Sequence, residues 1–462
     1  MKIERDILIS INHNKQTYPP MIPFFLPQAK EILMETTRRD FLTYSAAAAA
    51  ASTLAAGGVY AAGGDTLKIG LIGAGGRGTG AAINALRADP NVKLTAICDV
   101  FEDRLQSGLK YITKDKIAGP KVAVTPEGCF TGFDGYQKLL ATDVDVVLLC
   151  TSPGFRPMHL QAAIEAGKHV FCEKPVAVDA AGVRSVIESS RLAAKKKLNL
   201  CSGFCYRYDD AKRETVKRIH DGDIGKPVAI ESVYNTGEIW HRGSDPKWSE
   251  MEYQMRNWYY YTWLSGDHIV EQAIHSIDKA RWLLKDEVPV AAIGHGGRQQ
   301  RTDPKFGHIF DHFEIVFEFA SGTKVYHYTR QMKNCANGVY DLVLGSNGSA
   351  ALNSGGGIQL QEHEITGPKA WKWPGVHDFS AMYQNEHNEL FAGIRKGTIV
   401  NDGENAAMST LMAIMGRTVA YTGKRVTWKQ MLESKEDLMP KKLEWGSIAT
   451  PAVAIPGTTK FV

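Results

Sequence analysis

TLKIGLIGAGGRGTGAAINAL, residues 66–86, decides the fold. Leu67 to Ile72 is a mainly apolar run of strand type, interrupted by Lys68, and an Ala/Ile/Leu pattern of helical period follows the glycines. Between them stand Gly73, Gly75 and Gly78 in G-x-G-x-x-G spacing, with Gly76 and Arg77 filling the gap. Alone the spacing is weak, but strand before and helix after is the context in which it binds a dinucleotide. Gly73 allows the tight turn, Gly75 lets main chain approach a pyrophosphate, and Gly78 lets the helix pack closely on the strand. The helix N-terminus then presents free N–H groups to the phosphates.

The next segments extend the same pattern. A second strand, Val92 to Cys98, runs into Asp99, about 20 residues beyond the last glycine, where a carboxylate accepts hydrogen bonds from ribose hydroxyls. It would repel a 2′-phosphate, so NAD is expected rather than NADP; nearby Arg104 acts against that preference. A third strand, within Asp143–Cys150, is apolar in its second half, as in a sheet covered on both faces. Thr151, Ser152 and Pro153 follow at its carboxyl end, where open α/β sheets bind ligands. A helix from His159 to Ala166 and a short strand lead to Glu173-Lys174-Pro175. Beyond Lys197 the period changes. KPVAIESVYNTG alternates, FDHFEIVFEFASGTKVYHYTRQM reads as a hairpin about Ser321-Gly322, and further strands are expected at Tyr340–Leu344 and Ser349–Asn353.

Upstream, TTRRDFL at residues 36–42 places Arg38-Arg39 before a run without charge from Phe41 to Gly64. That run is Ala, Gly, Ser and Thr rather than Leu or Ile, and ends near a small-residue VYAA. A cleaved twin-arginine signal fits it better than a membrane span. That route exports folded proteins, so a cofactor can be loaded first. The expected layout is a leader over 1–64, a dinucleotide-binding domain over 65–198, a substrate and oligomerisation domain over 199–434, and a tail over 435–462. Met34 is an alternative start that would leave 1–33 untranslated. The 462 residues carry a net charge of only +4, and no Lys/Arg block of nucleic-acid type occurs. Cys201 and Cys205 have no Cys/His pair at zinc spacing after them, so no metal site is expected.

Glu173-Lys174-Pro175, the preceding HLQAAIEAGKHVFC and the later SGDHIVEQAIHSIDKARWLL together resemble the Gfo/Idh/MocA oxidoreductases. That superfamily includes glucose–fructose oxidoreductase, inositol dehydrogenase and, as a relative, glycoside hydrolase family 109. The resemblance runs from about Leu67 to about Ser434. It implies a Rossmann domain followed by an α/β domain with a large, open, mainly antiparallel sheet. The site lies between them, Lys174 stands beside the nicotinamide, and the following proline is often cis. It implies a homo-oligomer, dimer or tetramer, joined through the open sheet face.

A helix expected over Asp267–Leu284 puts Glu271 and His275 at i and i+4, on one face. Relatives carry Asp where this chain has Glu271. Hydride transfer from a secondary alcohol needs a base and a donor for the developing alkoxide. His275 is taken as base and Lys174 as the group holding the hydroxyl, with the roles open to exchange; Glu271 either orients the imidazole or meets a polyhydroxyl ligand together with it. The cofactor set is Gly73, Gly75, Gly76, Arg77, Gly78, Asp99, Thr151, Ser152, Pro153, His159, Glu173 and Lys174. The substrate set is Tyr206, Arg207, Trp258, Tyr260, Asp267 and His268, with Trp240 and His241 in a polar insertion, Glu238–Glu252, that closes over a ligand. His387 reads as an ordinary helix-face histidine.

The expected activity is NAD-dependent oxidation or reduction of a sugar, cyclitol or glycoside hydroxyl, with the cofactor retained and recycled. The alternative is an NAD-dependent glycosidase that oxidises C3 transiently and eliminates the glycosidic group. A sugar- or nucleotide-binding protein without turnover is disfavoured by the joint presence of Lys174 and His275.

Overall fold

Fifteen strands in two sheets carry the described residues, 65–355, 363–375 and 377–462, of a computed structural model. The leader falls outside that range. β1 (Leu67–Ile72), β2 (Val92–Asp99), β3 (Cys129–Thr131), β4 (Val146–Leu149), β5 (His169–Cys172) and β6 (Leu200–Ser202) form the first sheet. Its order is β3-β2-β1-β4-β5-β6, and every pairing is parallel. The order reverses between β1 and β4, which pair from Ile69 with Val146 to Ile72 with Leu149. That makes the gap beyond their carboxyl ends the switch point where such sheets take ligands. All four residues of β4 are buried, in keeping with helices on both faces.

The second sheet is built from β7 (Pro227–Thr236), β8 (Ala291–Gly297), β9 (His312–Glu318), β10 (Lys324–Gln331), β11 (Gly338–Gly345), β12 (Ser349–Gly355), β13 (Glu364–Thr366), β14 (Trp371–Lys372) and β15 (Val426–Thr427). The order is β14-β13-β12-β11-β7-β10-β9-β8-β15, antiparallel except where β7 lies parallel to β10. The β9–β10 hairpin turns at Ser321-Gly322 as the sequence implies; Gly322 sits at φ +86°, where a Cβ is disfavoured.

Alternation sorts this sheet into two faces. Phe313, Ile315, Phe317 and Val325 are buried, against the long helix Gly403–Thr422 among others. A row across the other face joins Ile293, Val316, Tyr326, Glu231 and Leu342 in register, and it is left partly or wholly exposed. One apolar core is continuous from Ile72 and Leu149 of the first sheet, through Ala407 and Leu411, to Ile315 and Phe317 of the second. All seven cysteines are unpaired. No helix among the described residues is long and apolar enough to cross a membrane.

Candidate active site

The glycine turn explains itself geometrically. Gly73 has φ +98°, and a Cβ there would meet main-chain atoms of Cys150 and Thr151 at 2.6 Å. A Cβ on Gly78 would lie 1.8 Å from the Gly73 carbonyl oxygen. Gly75 and Gly76 instead face open space, with nothing within 4 Å of a would-be Cβ. Gly75 caps the helix Gly76–Ala88 without a side-chain bond, and no acidic residue occupies its first turn. An anion can therefore approach unhindered N–H groups. The turn opens into a cavity of about 540 Å³ lined by the glycines, Asp99, Thr151, Lys174, Glu271 and His275.

Asp99 is held for its task by main chain. Its Oδ2 accepts from Ala74 N at 2.8 Å and its Oδ1 from Phe101 N at 3.0 Å. Burial raises its pKa above the usual carboxylate value, opposed by those two bonds and by Arg104. Both oxygens keep lone pairs for a ribose diol. An empty-faced glycine cradle, a free helix N-terminus and this carboxylate suit the pyrophosphate and ribose of NAD.

Lys174 follows β5, and its bond to Pro175 is cis. Its Nζ donates to the Glu271 carbonyl oxygen at 2.5 Å and to Glu271 Oε1 at 3.2 Å. The main-chain bond exists because the helix expected over 267–284 is not continuous. It is two helices, His268–Glu271 and Ile274–Leu283, broken at Gln272-Ala273. In an unbroken helix the His275 N–H would donate to the Glu271 oxygen; here it points to Gln272 O at 3.4 Å, leaving the Glu271 oxygen for the lysine. The i,i+4 reading was therefore right about proximity and wrong about backbone.

His275 is 8% exposed, and its Nδ1 has no hydrogen-bond partner. Its ring packs against Tyr206 at 4.8 Å between centroids, the planes tilted by 33°. Burial, then the cations of Lys174, Lys279 and Arg77, pushes its pKa well below the ordinary histidine value. The imidazole is thus neutral at neutral pH and able to accept a proton.

Beneath the lysine, Arg77 ion-pairs with Glu173, and its NH2 lies 3.0 Å from Glu386 Oε1. Arg156 donates to the carbonyls of Pro175 (2.6 Å) and Thr151 (2.7 Å), pinning the Glu-Lys-Pro turn to the end of β4. Thr151 Oγ1 meets His159 Nδ1 at 3.2 Å. Burial holds the His159 pKa down to about 3.

Of the cofactor candidates, all but Pro153 line the cavity. Among the substrate candidates only Trp258 does, joined by Trp240 from the insertion. Tyr206 lies one layer back, against the His275 ring. Arg207 is consumed by Asp278, at 2.8 and 2.9 Å, and by Asp286 at 2.6 Å. Tyr260 donates to Trp240 O at 2.9 Å, and His241 meets Tyr253 Oη at 3.2 Å, so both brace the insertion rather than a ligand. Asp267, at φ +78°, accepts from His268 N, Phe310 N and Tyr421 Oη, and His268 Nδ1 lies 3.1 Å from it. Those two residues cross-link helix, sheet and the Gly403–Thr422 helix instead of meeting substrate. His387 is buried against Phe171. The sequence reading missed Tyr234, Gln272, Tyr383 and Arg242 in the lining. Arg242 lies in the insertion Glu238–Glu252 and Gln272 beside Glu271, segments the sequence did single out, whereas Tyr234 and Tyr383 come from elements whose place depends on long-range packing.

Parallel sheet, glycine cradle and a lysine–imidazole pair at one cavity define a nicotinamide-nucleotide oxidoreductase. Residues 67–204 match the oxidoreductase family with an NAD-binding Rossmann fold, and residues 213–351 match the GFO/IDH/MocA C-terminal domain. The chain belongs to the Gfo/Idh/MocA oxidoreductases and binds NAD. Residues 35–55 match a twin-arginine translocation signal, which directs export by that route. Inositol 2-dehydrogenase 3 of Saccharopolyspora erythraea is 29% identical over 365 residues, covering 77% of this chain and 92% of that protein. Among solved structures, myo-inositol 2-dehydrogenase from Lactobacillus plantarum superposes with TM-score 0.59 at 21% identity, covering 79% of this chain and 99% of that one. Aldose–aldose oxidoreductase from Caulobacter crescentus gives 0.58 at 22%, covering 78% and 99%.

Proposed function

We propose that this exported enzyme moves a hydride between NAD and a secondary hydroxyl of a cyclitol or sugar. The observation that carries the reading is a neutral, buried His275 in the same cavity wall as Lys174, whose Nζ is fixed by Glu271. When bound, NAD supplies the hydride acceptor. His275 takes the hydroxyl proton as the carbonyl forms, and Lys174 donates to the same oxygen, stabilising developing negative charge. Glu271 keeps the ammonium aimed, through both its carbonyl and its carboxylate. Trp240 and Trp258 offer flat apolar faces to a ring, and Gln272 and Tyr234 offer hydrogen bonds to its other hydroxyls.

Inositol dehydrogenase relatives support a cyclitol, and the aldose–aldose oxidoreductase likeness in fold is compatible with a sugar. Export separates the enzyme from the cytoplasmic nucleotide pool. In this reading the NAD stays bound through the cycle, and a second substrate returns the hydride. The open sheet face joins copies of the chain into a homo-oligomer, since an uncovered row such as Ile293, Val316, Tyr326 and Leu342 favours association. Light scattering on the mature protein tests that part, and a monomer would remove it.

The activity is tested by purifying mature protein, releasing and identifying its nucleotide, and screening inositols, aldoses and glycosides for keto products. Lys174→Ala and His275→Ala should retain the nucleotide and lose turnover. Undiminished turnover in both variants would refute the site. Free reducing sugar released from a glycoside would move the reading to transient oxidation and elimination.

A further inference from the structure

Behind Tyr206, on residues that the hydride chemistry does not use, three side chains from distant parts of the chain converge. Asp209 caps the helix Asp210–His220, His363 precedes β13, and His377 precedes the helix Ala381–Lys396. One carboxylate oxygen and one nitrogen from each ring all lie within 4.8 Å of one another. It is the one such group of three or more metal-type donors among the described residues.

His363 is the second, independent sign. It is fully buried, and neither ring nitrogen has a hydrogen-bond partner. A buried polar atom left unpaired is destabilising, and His363 leaves two. Most other buried histidines tie one nitrogen: His268 to Asp267, His308 to Thr262, His327 to Ser232. His387 also leaves both free, but it belongs to no cluster of three metal-type donors; its charged neighbours are Glu386, at 4.0 Å, and the cation of Arg77. At His363 two further donors are already in place. His377 Nε2 touches Asp209 Oδ2 at 2.6 Å, and the two imidazoles stand edge to face at 4.9 Å.

We propose that Asp209, His363 and His377 bind a zinc-type divalent cation. Two imidazoles and a carboxylate with a remaining open position are a donor set of zinc and its first-row neighbours, whereas magnesium and calcium prefer all-oxygen shells. Bond lengths of about 2.0–2.2 Å require the three donors to draw together slightly. His377 exchanges its hydrogen bond to Asp209 for the metal, its ring proton sitting on Nδ1 so that Nε2 offers a lone pair as ligand. One feature opposes the ion. Lys212 Nζ lies 3.0 Å from Asp209 Oδ2, so this oxygen is shared, and the repulsion weakens the site for every divalent cation.

The ion would act as a brace rather than as a participant in the reaction. It would staple the helix that follows Tyr206, the edge of the second sheet and the segment leading to Tyr383 of the cavity wall. Phe379, two residues past His377, packs edge-on to Tyr206 at 6.0 Å, and Tyr206 packs in turn against His275.

The test uses tag-free mature protein, stripped with EDTA and titrated with zinc sulfate against a chromophoric chelator, with metal content read by mass spectrometry. One zinc per chain is expected, with a rise in the midpoint of thermal unfolding and, with cobalt substituted, visible d–d absorption. His363→Gln and His377→Phe should each abolish these signals. Asp209→Asn, which keeps the helix cap, should weaken zinc binding at least tenfold. Circular dichroism establishes that each variant is folded. Wild-type protein that takes up no zinc, or folded variants that hold as much as wild type, would overturn the assignment.

Discussion

On the first-sheet side, the cavity holds a main-chain cradle, Gly73, Gly75, Gly76 and the free N–H groups of the following helix, with Asp99 held beside it by two main-chain donors. On the second-sheet side the wall is side chains: His275, Gln272, Tyr234, Trp258. The first arrangement recognises what every dinucleotide shares and is fixed by a dozen consecutive residues. The second recognises what differs among substrates and is fixed by contacts across the whole chain. Lys174 belongs to the first by sequence and to the second by bonding, since its ammonium is anchored on Glu271.

Lys174→Met should separate the two sides most sharply. A fall in kcat/KM of about a thousandfold is expected while released nucleotide, measured by chromatography, remains at wild-type stoichiometry. Loss of the nucleotide as well would mean that the lysine holds the cofactor rather than acting on the substrate. Next in size is Gly78→Ala, whose Cβ would strike the Gly73 carbonyl at 1.8 Å. A destabilisation of about 3 kcal/mol in chemical denaturation, with loss of bound NAD, is expected.

Both sides share a third effect. His159 and His327 have pKa values pushed to about 3 and His308 to about 4, chiefly by burial. Above about pH 6.5 these rings are neutral folded or unfolded and add nothing to pH dependence. Below it the unfolded chain takes up protons that the folded one refuses, so stability falls as pH drops from about 6.5 to about 4. Each ring adds a slope of about 1.4 kcal/mol per pH unit, measurable as a falling Tm; a flat profile would mean the rings are charged in the fold. Glu271→Gln keeps the main-chain acceptor and should cost only about tenfold in kcat, equivalent to about 1.4 kcal/mol. The smallest change is expected for Gly75→Ala. With open space around that Cβ, denaturation should move by less than about 0.5 kcal/mol, while nucleotide affinity falls because the methyl occupies the pyrophosphate's approach.

How far the sequence could be read follows the same division. The first strand–helix junction, Asp99, Thr151 and the Glu-Lys-Pro turn were legible because each is a local pattern with a local reason. The hairpin at Ser321-Gly322 was legible for the same cause. Glu271 and His275 were found by spacing, although the backbone between them breaks. Arg207, Tyr260, Asp267 and His268 were misplaced, because a polar or aromatic residue near a site looks alike whether it faces a ligand or a buried partner. Asp278, Trp240 and Tyr421, which engage three of them, are tens or hundreds of residues away or lie on another element. His363 and His377 carry no spacing signal at all, since the chain between and around them brings them to Asp209 only in the fold.

The unpaired cysteines bear on how such a protein reaches its destination. Burial raises the thiols of Cys98 and Cys172 to about 12, and those of Cys201 and Cys205 are raised as well. Sulfur in that state is protonated, and the attacking species of thiol–disulfide exchange is the thiolate. At these four positions an oxidising compartment therefore finds little to attack. A chain carried across the membrane already folded keeps those sulfurs shut away from exchange on the far side.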